Sequence, residues 1–233
     1  MRPIYTPKGR AGEYGEFALN IYTGCNHGCT YCYARRMAER FGRDFDHVEP
    51  RPGILDAVKD QIKREKIVDK EIFLCFSCDP YPHTIDTTVT RQIIEVIKNS
   101  GNHIRVLTKG GMRAKRDFDL LDGDDWLGVT ISTDKPYMYE PFAAGFSLRE
   151  DSLIIAHEFG IKTWVSCEPV IDPPLIYQVI QYWKFVDMFK IGKMNYQKSE
   201  INWAEFGQMA ERLCKRFDRN YMIKDDLRKE MNK

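Results

Sequence analysis

The stretch YTGCNHGCTYCYARR, residues 22–36, places three cysteines within eight residues, and the interpretation of the whole chain starts from it. Cys25, Cys29 and Cys32 follow a C-x3-C-x2-C spacing, and no fourth cysteine lies nearby. Two glycines in the same stretch let the backbone approach a bound group without an intervening side chain. Three thiols on so short a loop predict that they hold one metal or metal–sulfur group together.

A single zinc ion is one alternative for this loop, because thiolates and imidazoles are its usual ligands. A structural zinc site is closed by four ligands, and His27 is the fourth that the loop offers. Four ligands inside one small loop would have to wrap tightly around a small ion, which strains the backbone. An iron–sulfur cube is larger, and three thiolates can bind three of its irons and leave the fourth open. The spacing therefore favours the cube, with a zinc module as the alternative.

The composition is that of a globular chain without a general affinity for polyanions. Of 233 residues, 43% are hydrophobic, and 35 Lys and Arg balance 34 Asp and Glu to a formal net charge of +1. Any nucleic-acid binding would therefore need a local patch. The N-terminal sequence has no hydrophobic core of signal-peptide type, and no segment reaches transmembrane length. We expect a cytoplasmic protein without a membrane partner, whose seven cysteines serve metal or redox chemistry.

Beyond the cysteine loop, the hydrophobic pattern alternates between buried strands and amphipathic helices. Strands are predicted at 17–24, 71–78, 103–109, 126–132, 161–169 and 185–193, and helices at 34–41, 53–66, 91–101, 114–122, 147–160, 173–184 and 202–217. Six such units predict an α/β fold with a parallel sheet and outer helices. A partial barrel and an open doubly wound sheet share this element order. One domain is expected, with a barrel over 17–220, an N-terminal extension over 1–16 and a C-terminal tail over 221–233.

Polar and thiol side chains follow the predicted strands at the points where the strands end. In both architectures, sites form beyond the carboxyl ends of parallel strands. The groups found there are Ser77, Cys78, Asp79, Lys109, Ser132, Cys167, Glu168 and Lys193. The sequence therefore predicts one site at this edge of the sheet, shared with the cysteine loop that follows the first strand.

The segment CNHGCTYC, residues 25–32, resembles the cysteine motif of the radical S-adenosylmethionine (SAM) superfamily, with Tyr31 as its aromatic residue. The resemblance covers nearly the whole chain and implies a partial (β/α)6 barrel of radical SAM type. It implies that Cys25, Cys29 and Cys32 bind a [4Fe–4S] cluster whose open iron chelates SAM. An external one-electron donor of flavodoxin or ferredoxin type then drives reductive cleavage of SAM to a 5′-deoxyadenosyl radical, which abstracts hydrogen from a substrate.

The residues after the second strand resemble one branch of this superfamily. The Gly-Gly-Glu motif common at that place is missing, and FSCDPYPHTID, residues 76–86, stands there instead, with Ser77 and Asp79 as acceptors for the methionyl amino group. Such a stretch resembles the spore photoproduct lyase-like branch. The resemblance implies that Lys109 and Ser132 bind the methionyl carboxylate and that Tyr31 contacts the adenine.

The same branch implies a role for a cysteine near the end of the second strand, where a thiol returns a hydrogen atom to the product radical. Cys75 and Cys78 both lie close to that place, and strand alternation would put them on opposite faces. We expect Cys78 to be the donor, with the neighbouring Asp79 keeping its thiol protonated. Cys75 and Cys214 are expected in the core.

The substrate implied by the branch is a nucleobase or a nucleic-acid lesion, and the enzyme would be lyase-like. The predicted loop 133–146 carries aromatic residues that could stack on a base. A phosphate-binding rim could be formed by Arg105, Lys109, Arg113, Lys115 and Arg116. A radical enzyme that modifies a peptide or protein together with a partner is the first alternative. The non-enzymatic zinc module with His27 is the second.

Overall fold

The computed structural model describes residues 2–233, in which seven strands form one parallel sheet. The strands are β1 (Phe17–Leu19), β2 (Glu71–Leu74), β3 (His103–Thr108), β4 (Trp126–Thr130), β5 (Lys162–Cys167), β6 (Met188–Ile191) and β7 (Tyr221–Ile223). Each strand pairs in parallel with the next one along the chain, so that the spatial order is β1 to β7 without a reversal. A doubly wound sheet requires a point where strand order reverses. The expected partial barrel is confirmed, and the doubly wound alternative is wrong.

Helices connect the strands. They are α1 (Tyr33–Arg40), α2 (Ile54–Glu65), α3 (Thr88–Asn99), α4 (Pro136–Tyr139), α5 (Phe146–Glu158), α6 (Pro173–Tyr182), α7 (Trp203–Arg216) and α8 (Asp225–Met231), with 3₁₀ helices at Gly9–Glu13 and Gly111–Leu120. The seventh strand and α8 lie in the segment that the sequence assigned to a tail. Three residues of strand are too short for hydrophobic alternation to reveal, which is why the pattern predicted only six units.

Side chains alternate along each strand between the helix-covered outside and the lumen of the barrel. The outward residues, such as Leu74, Val106 and Val165, join the main hydrophobic core under the helices. The inward positions carry large aromatic groups, of which Trp164 is fully buried. Its indole fills the place opposite Gly128, where an added Cβ would lie 2.1 Å from the ring. The lumen is therefore packed on the sheet side and leaves no room for a side chain at that position.

The N-terminal residues plug this lumen. The Tyr14 ring packs on Phe73 and Trp164 with centroid distances of 5.5 and 5.9 Å. Lys190, which points inward from β6, donates a 3.1 Å hydrogen bond to the Tyr14 carbonyl. Residues 8–11 and Tyr14, within the segment expected to be an extension, thus line the floor of a cavity.

Loops at the carboxyl ends of the strands surround that cavity. Six of the strands are followed by residues that line it, and the cysteine loop after β1 forms one wall. Within residues 2–233, no helix has both the length and the hydrophobicity that crossing a membrane would require.

Candidate functional site

A cavity of about 530 Å³ lies at the carboxyl ends of the strands and brings together most of the residues predicted from the sequence. One wall is the cysteine loop, the second is formed by residues after β2 and β3, and the third by residues after β5, β6 and β7. The lining includes Cys25, Cys29, Tyr31, Cys32, Cys75, Ser77, Cys78, Asp79, Lys109, Glu168, Lys193, Asn195 and Lys224. Among the groups predicted at the strand ends, Ser132 and Cys167 do not line it, and both are fully buried.

The three loop cysteines are free thiols that open into this cavity. Backbone amides already point at two of the sulfurs: the N–H of Arg35 donates to Cys32 Sγ over 3.4 Å, and the N–H of His27 donates to Cys25. Burial raises the pKa of Cys29 to about 12 and that of Cys25 well above its ordinary value. Because metals bind the thiolate, loading this site must release protons.

The arrangement fits an iron–sulfur cluster better than a single ion. Three soft thiolates with amide donors aimed at the sulfurs are the ligand set and second shell that such clusters use. Within residues 2–233, no three His, Cys, Asp or Glu side chains converge on one point as ligands of a single ion would. All three thiols instead line one open cavity, which has room for the larger cube.

His27 is not free to complete a zinc site. Its Nε2 lies 3.0 Å from the Arg113 guanidinium, and its Nδ1 faces the Asp79 carboxylate at 3.5 Å. Burial lowers the pKa of His27 to about 4, so the ring is neutral and accepts from Arg113. Both nitrogens are therefore directed at groups other than the thiols, and the geometry does not support the zinc alternative.

A long loop after β4 clamps the cysteine loop from outside. The N–H of Thr30 donates to the carbonyl of Tyr139 over 2.9 Å, and the N–H of Phe142 donates to the carbonyl of His27 over 3.1 Å. Gly28, at a φ of +70°, lies so close that an added Cβ would approach Pro141 to 3.0 Å. The loop 133–146, expected to be a stacking surface for a base, is in large part a support for the cysteine motif.

The centre of this clamp is the buried carboxylate of Glu140. The hydroxyls of Tyr31 and Ser132 both donate to its Oε1, the latter over 2.8 Å, and Arg149 binds its Oε2. Arg149 is itself buried on α5 and also donates to the carbonyl of Thr130 over 2.9 Å. Burial raises the pKa of Glu140, against the opposing effect of the Arg149 charge. One buried ion pair thus ties the cysteine motif to β4 and α5.

This clamp corrects the interpretation of Ser132. The residue was expected to bind the methionyl carboxylate, but it is fully buried and its hydroxyl donates to the Glu140 carboxylate. Tyr31 lines the cavity as expected, although its hydroxyl is committed to the same carboxylate. No sequence pattern pointed to Glu140 or Arg149, because the two residues stand in a loop and a helix that look solvent-facing from the sequence.

Asp79 holds the ends of β2 and β3 together. Its carboxylate accepts from the Thr108 hydroxyl over 2.5 Å and from the backbone N–H groups of Lys109 and Tyr81 over 2.8 Å each. Most of its lone pairs are therefore used within the protein, which leaves Ser77 as the less committed of the two predicted acceptors. Lys109 extends into the cavity, with Nζ 5.6 Å from the centre of the Tyr31 ring.

Cys75 and Cys78 face each other, contrary to the expectation from strand alternation. Strand β2 ends at Leu74, so alternation no longer applies, and both thiols line the cavity. The N–H of Tyr22 donates to the Cys78 sulfur over 3.4 Å, and the two thiols share a hydrogen bond. Although burial opposes it, these bonds lower the pKa of Cys78, while burial raises that of Cys75 well above its ordinary value. The expectation that Asp79 keeps Cys78 protonated is wrong.

The opposite wall is a polar cluster around Glu168. Its carboxylate accepts from Lys224 Nζ over 2.6 Å, from the Tyr14 hydroxyl over 2.8 Å and from Asn195 over 3.0 Å. Sequence analysis identified Glu168 from its place after a strand but missed its partners. Lys224 follows β7, which the pattern did not reveal, and Tyr14 comes from the N-terminal segment.

The rim of the cavity next to this wall is aromatic and cationic. The guanidinium of Arg10 lies 4.7 Å from the centre of the Tyr196 ring, and Arg36 donates to the Tyr196 carbonyl over 2.7 Å. The Tyr33 ring lies 6.4 Å from that of Tyr196. The phosphate-binding rim expected after β3 is not formed, because Arg105 points into the lumen and binds Glu71 over 2.6 Å, while Arg116 binds Asp117 over 2.9 Å.

Comparison with known proteins agrees with the family resemblance seen in the cysteine motif. Residues 19–174 match the family model described as the radical SAM superfamily. An uncharacterised protein of Methanocaldococcus jannaschii is 30% identical over 169 residues, which is 69% of this chain and 62% of the relative. An uncharacterised protein of Mycobacterium tuberculosis is 29% identical over 46% of this chain and 33% of its own length. The chain thus spans less than two thirds of these relatives.

Among solved structures, the fold is similar to those of two kinds of radical enzyme. A mutant of spore photoproduct lyase superposes with a TM-score of 0.71 at 15% identity, over 94% of this chain and 77% of that one. Another, with bound SAM and a dinucleoside spore photoproduct, gives 0.66 at 16% identity over 92% and 64%. Streptococcus suis SuiB bound to its precursor peptide SuiA gives 0.61 at 12% identity over 88% and 48%.

Replacing any one of Cys25, Cys29 or Cys32 by alanine should abolish iron binding and SAM cleavage after anaerobic reconstitution, because three thiolates are needed to hold the cluster. Iron and sulfide content, the visible spectrum and 5′-deoxyadenosine formation measure this. The matched control is Cys78→Ala, which removes a thiol from the same cavity outside the motif and should keep its iron. Zinc in place of iron and sulfide, or equal iron loss in the control, contradicts the ligand assignment.

Replacing Glu140 by alanine should lower the free energy of unfolding of the metal-free protein by about 3–5 kcal/mol, because Arg149 is then buried without a counter-charge. Tyr31→Phe removes one donor only and should cost about 1–3 kcal/mol. Urea unfolding measures both, with the exposed Glu158→Ala on α5 as control. A loss for Glu140→Ala no larger than that of the control shows that the clamp does not stabilise the loop.

Proposed function

The chain belongs to the radical SAM superfamily, and we propose that it is a lyase-like member which rearranges a nucleobase in nucleic acid and returns a hydrogen atom from Cys78. It is a radical SAM enzyme whose cofactors are a [4Fe–4S] cluster and SAM. Membership in an enzyme family also overturns the alternative of a non-enzymatic zinc module. The substrate and the residue roles below are proposals.

The observation that carries the proposal is the place of the Cys75–Cys78 pair. Both thiols line the cavity that also holds the three loop cysteines and Lys109. The Tyr22 amide donates to the Cys78 sulfur, and this bond does not use the hydrogen of the Cys78 thiol. Cys78 is also the more exposed of the two. A thiol beside the radical-generating centre is the group that a hydrogen-returning reaction requires.

The loop cysteines, Lys109 and Ser77 would hold the cofactors. Cys25, Cys29 and Cys32 would bind the cluster; when bound, cluster and SAM supply the one-electron cleavage that gives methionine and a 5′-deoxyadenosyl radical. Lys109 would bind the methionyl carboxylate through a charge-assisted hydrogen bond. Ser77 would accept from the methionyl amino group, with Asp79 holding the strand ends in position rather than binding the cofactor.

The opposite side of the cavity would receive the substrate. The Glu168 cluster offers fixed polar groups, and the rim formed by Arg10, Tyr33 and Tyr196 combines aromatic faces with a cation. Aromatic rings stack on bases of any sequence, and arginine binds phosphate. One structural neighbour has a dinucleoside spore photoproduct bound, which supports the same substrate class here. Because the chain as a whole carries almost no net charge, nucleic acid would have to bind at a local patch such as this rim.

Replacing Lys109 by alanine should weaken SAM binding by about 1.5–3 kcal/mol, roughly ten- to a hundredfold in Kd, while iron content stays normal. The physical reason is the loss of a charged hydrogen bond to the carboxylate without loss of a cluster ligand. Equilibrium binding of SAM to the reconstituted protein measures this. The exposed Lys115→Ala in the following 3₁₀ helix is the control, and an equal Kd in both variants refutes the role of Lys109.

The proposed reaction is tested with a dinucleoside spore photoproduct as probe. Wild-type protein should convert it, whereas Cys78→Ala should still form 5′-deoxyadenosine but give altered products, since the product radical is quenched by another donor. Cys75→Ala should keep the ordinary product, because Cys78 remains. A normal product profile from Cys78→Ala removes this thiol from the reaction. Formation of 5′-deoxyadenosine by wild type without conversion of the probe keeps the enzyme class and overturns the substrate.

A further inference from the structure

The first helix after the cysteine loop carries large apolar side chains on its exposed side. Tyr33, Arg36, Met37, Arg40 and Phe41 follow the i, i+3, i+4, i+7, i+8 spacing of one helix face, and all five are exposed. We call this set the outer face of α1. Its apolar members Tyr33, Met37 and Phe41 are 40%, 53% and 69% exposed. An amphipathic helix normally turns such a stripe toward the core, but Ala34 is the one residue of α1 that is buried.

This face is next to the radical-generating centre. Cys32 caps α1, and its sulfur accepts from the N–H of Arg35 in the first turn. With eight residues, the helix is about 12 Å long. The outer face therefore begins beside a cluster ligand, where Tyr33 and Met37 also line the cavity. It then extends away to Arg40 and Phe41, which do not line it.

The charge on this face is of one sign. Its polar members Arg36 and Arg40 are both cationic, and the guanidinium of Arg43 lies 6.0 Å from the centre of the Phe41 ring. The carboxylate group of α1, on Glu39, lies on another side of the helix by its spacing, and Arg35 is neutralised by Asp46 at 2.6 Å. Since the whole chain has a net charge of only +1, the positive character is local.

We propose that the outer face of α1 docks a small acidic one-electron carrier protein of flavodoxin or ferredoxin type. The reduced carrier gives up one electron, which enters the centre held by the cysteine loop, and leaves as its one-electron-oxidised form. An apolar centre flanked by cations fits an acidic carrier, and a face of this size suits the small, transient interfaces of electron transfer. The inference rests on the electron-driven chemistry of the family and is independent of the substrate proposed above.

The test compares protein carriers with a small chemical reductant. Reconstituted wild type and Arg40→Glu are assayed for 5′-deoxyadenosine formation with reduced flavodoxin, reduced ferredoxin or dithionite. We expect the KM for the carrier to rise about tenfold in Arg40→Glu, because charge steering is reversed, while the dithionite-driven rate stays within twofold of wild type. Lys59→Glu, an equal charge reversal exposed on α2, is the matched control and should behave as wild type.

Binding provides a readout that does not depend on turnover. Titration of oxidised carrier into the metal-free protein should give a Kd that rises with salt for wild type and is weaker for Arg40→Glu. Phe41→Ala, which leaves the charge unchanged, should weaken the same complex without changing the dithionite rate. Whichever of flavodoxin and ferredoxin wild type binds more tightly is the type of carrier that docks.

Three results overturn the proposal. Equal KM and Kd values for Arg40→Glu and Lys59→Glu show that carriers dock elsewhere. If Arg40→Glu loses as much activity with dithionite as with the protein carrier, the face stabilises the cysteine loop and does not dock a carrier. If Arg40→Glu binds a single-stranded oligonucleotide more weakly than wild type but binds the carrier equally well, the face belongs to nucleic acid. Failure of the dinucleoside probe, by contrast, leaves this inference untouched, since the assay measures SAM cleavage alone.

Discussion

The architecture of the site depends on one buried carboxylate. Glu140 accepts hydrogen bonds from Tyr31 in the cysteine motif and from Ser132 after β4, and it pairs with Arg149 on α5. A loop with three thiols has little hydrophobic surface of its own with which to fix its shape. The ion pair fixes the shape of the loop instead. Burying its two charges costs desolvation free energy, which is offset only because each charge is paired and hydrogen-bonded. The thiols can therefore remain open to the cavity while the backbone that carries them is held from behind.

The cavity is chemically divided. The side near β1 to β3 offers thiols, the Lys109 ammonium and the Tyr31 ring, and the side near β5 to β7 offers the Glu168 cluster. The aromatic cluster of Tyr14, Phe73 and Trp164 packs beneath both sides. A parallel barrel produces this division directly, because residues that follow distant strands face each other across the same opening. Groups with different tasks can thus be varied on one side without disturbing the other.

The cysteine motif, the strand–helix alternation and the polar strand ends were sufficient to predict the fold and most of the cavity wall, including Lys109, Glu168 and Cys78. These features are local in sequence. What could not be predicted are pairings over long separations, such as Glu140 with Tyr31 or Lys224 with Glu168, because neither partner has a distinctive neighbourhood. Ser132 was misplaced for the same reason: its position after a strand was correct, but the buried acceptor that captures its hydroxyl lies in an irregular loop.

The Glu168 cluster joins segments that lie far apart in the sequence, since its carboxylate binds both Tyr14 and Lys224. The polypeptide is made from its N-terminus, so the three loop thiols leave the ribosome when most of the barrel does not yet exist. Between Cys32 and Lys224 lie 191 residues, and until Lys224 appears the third wall of the cavity is incomplete. The thiols are consequently open to metals and oxidants while these later residues are being made. The complete wall around the cysteine loop therefore exists only after β7 has joined the sheet and Lys224 has reached Glu168.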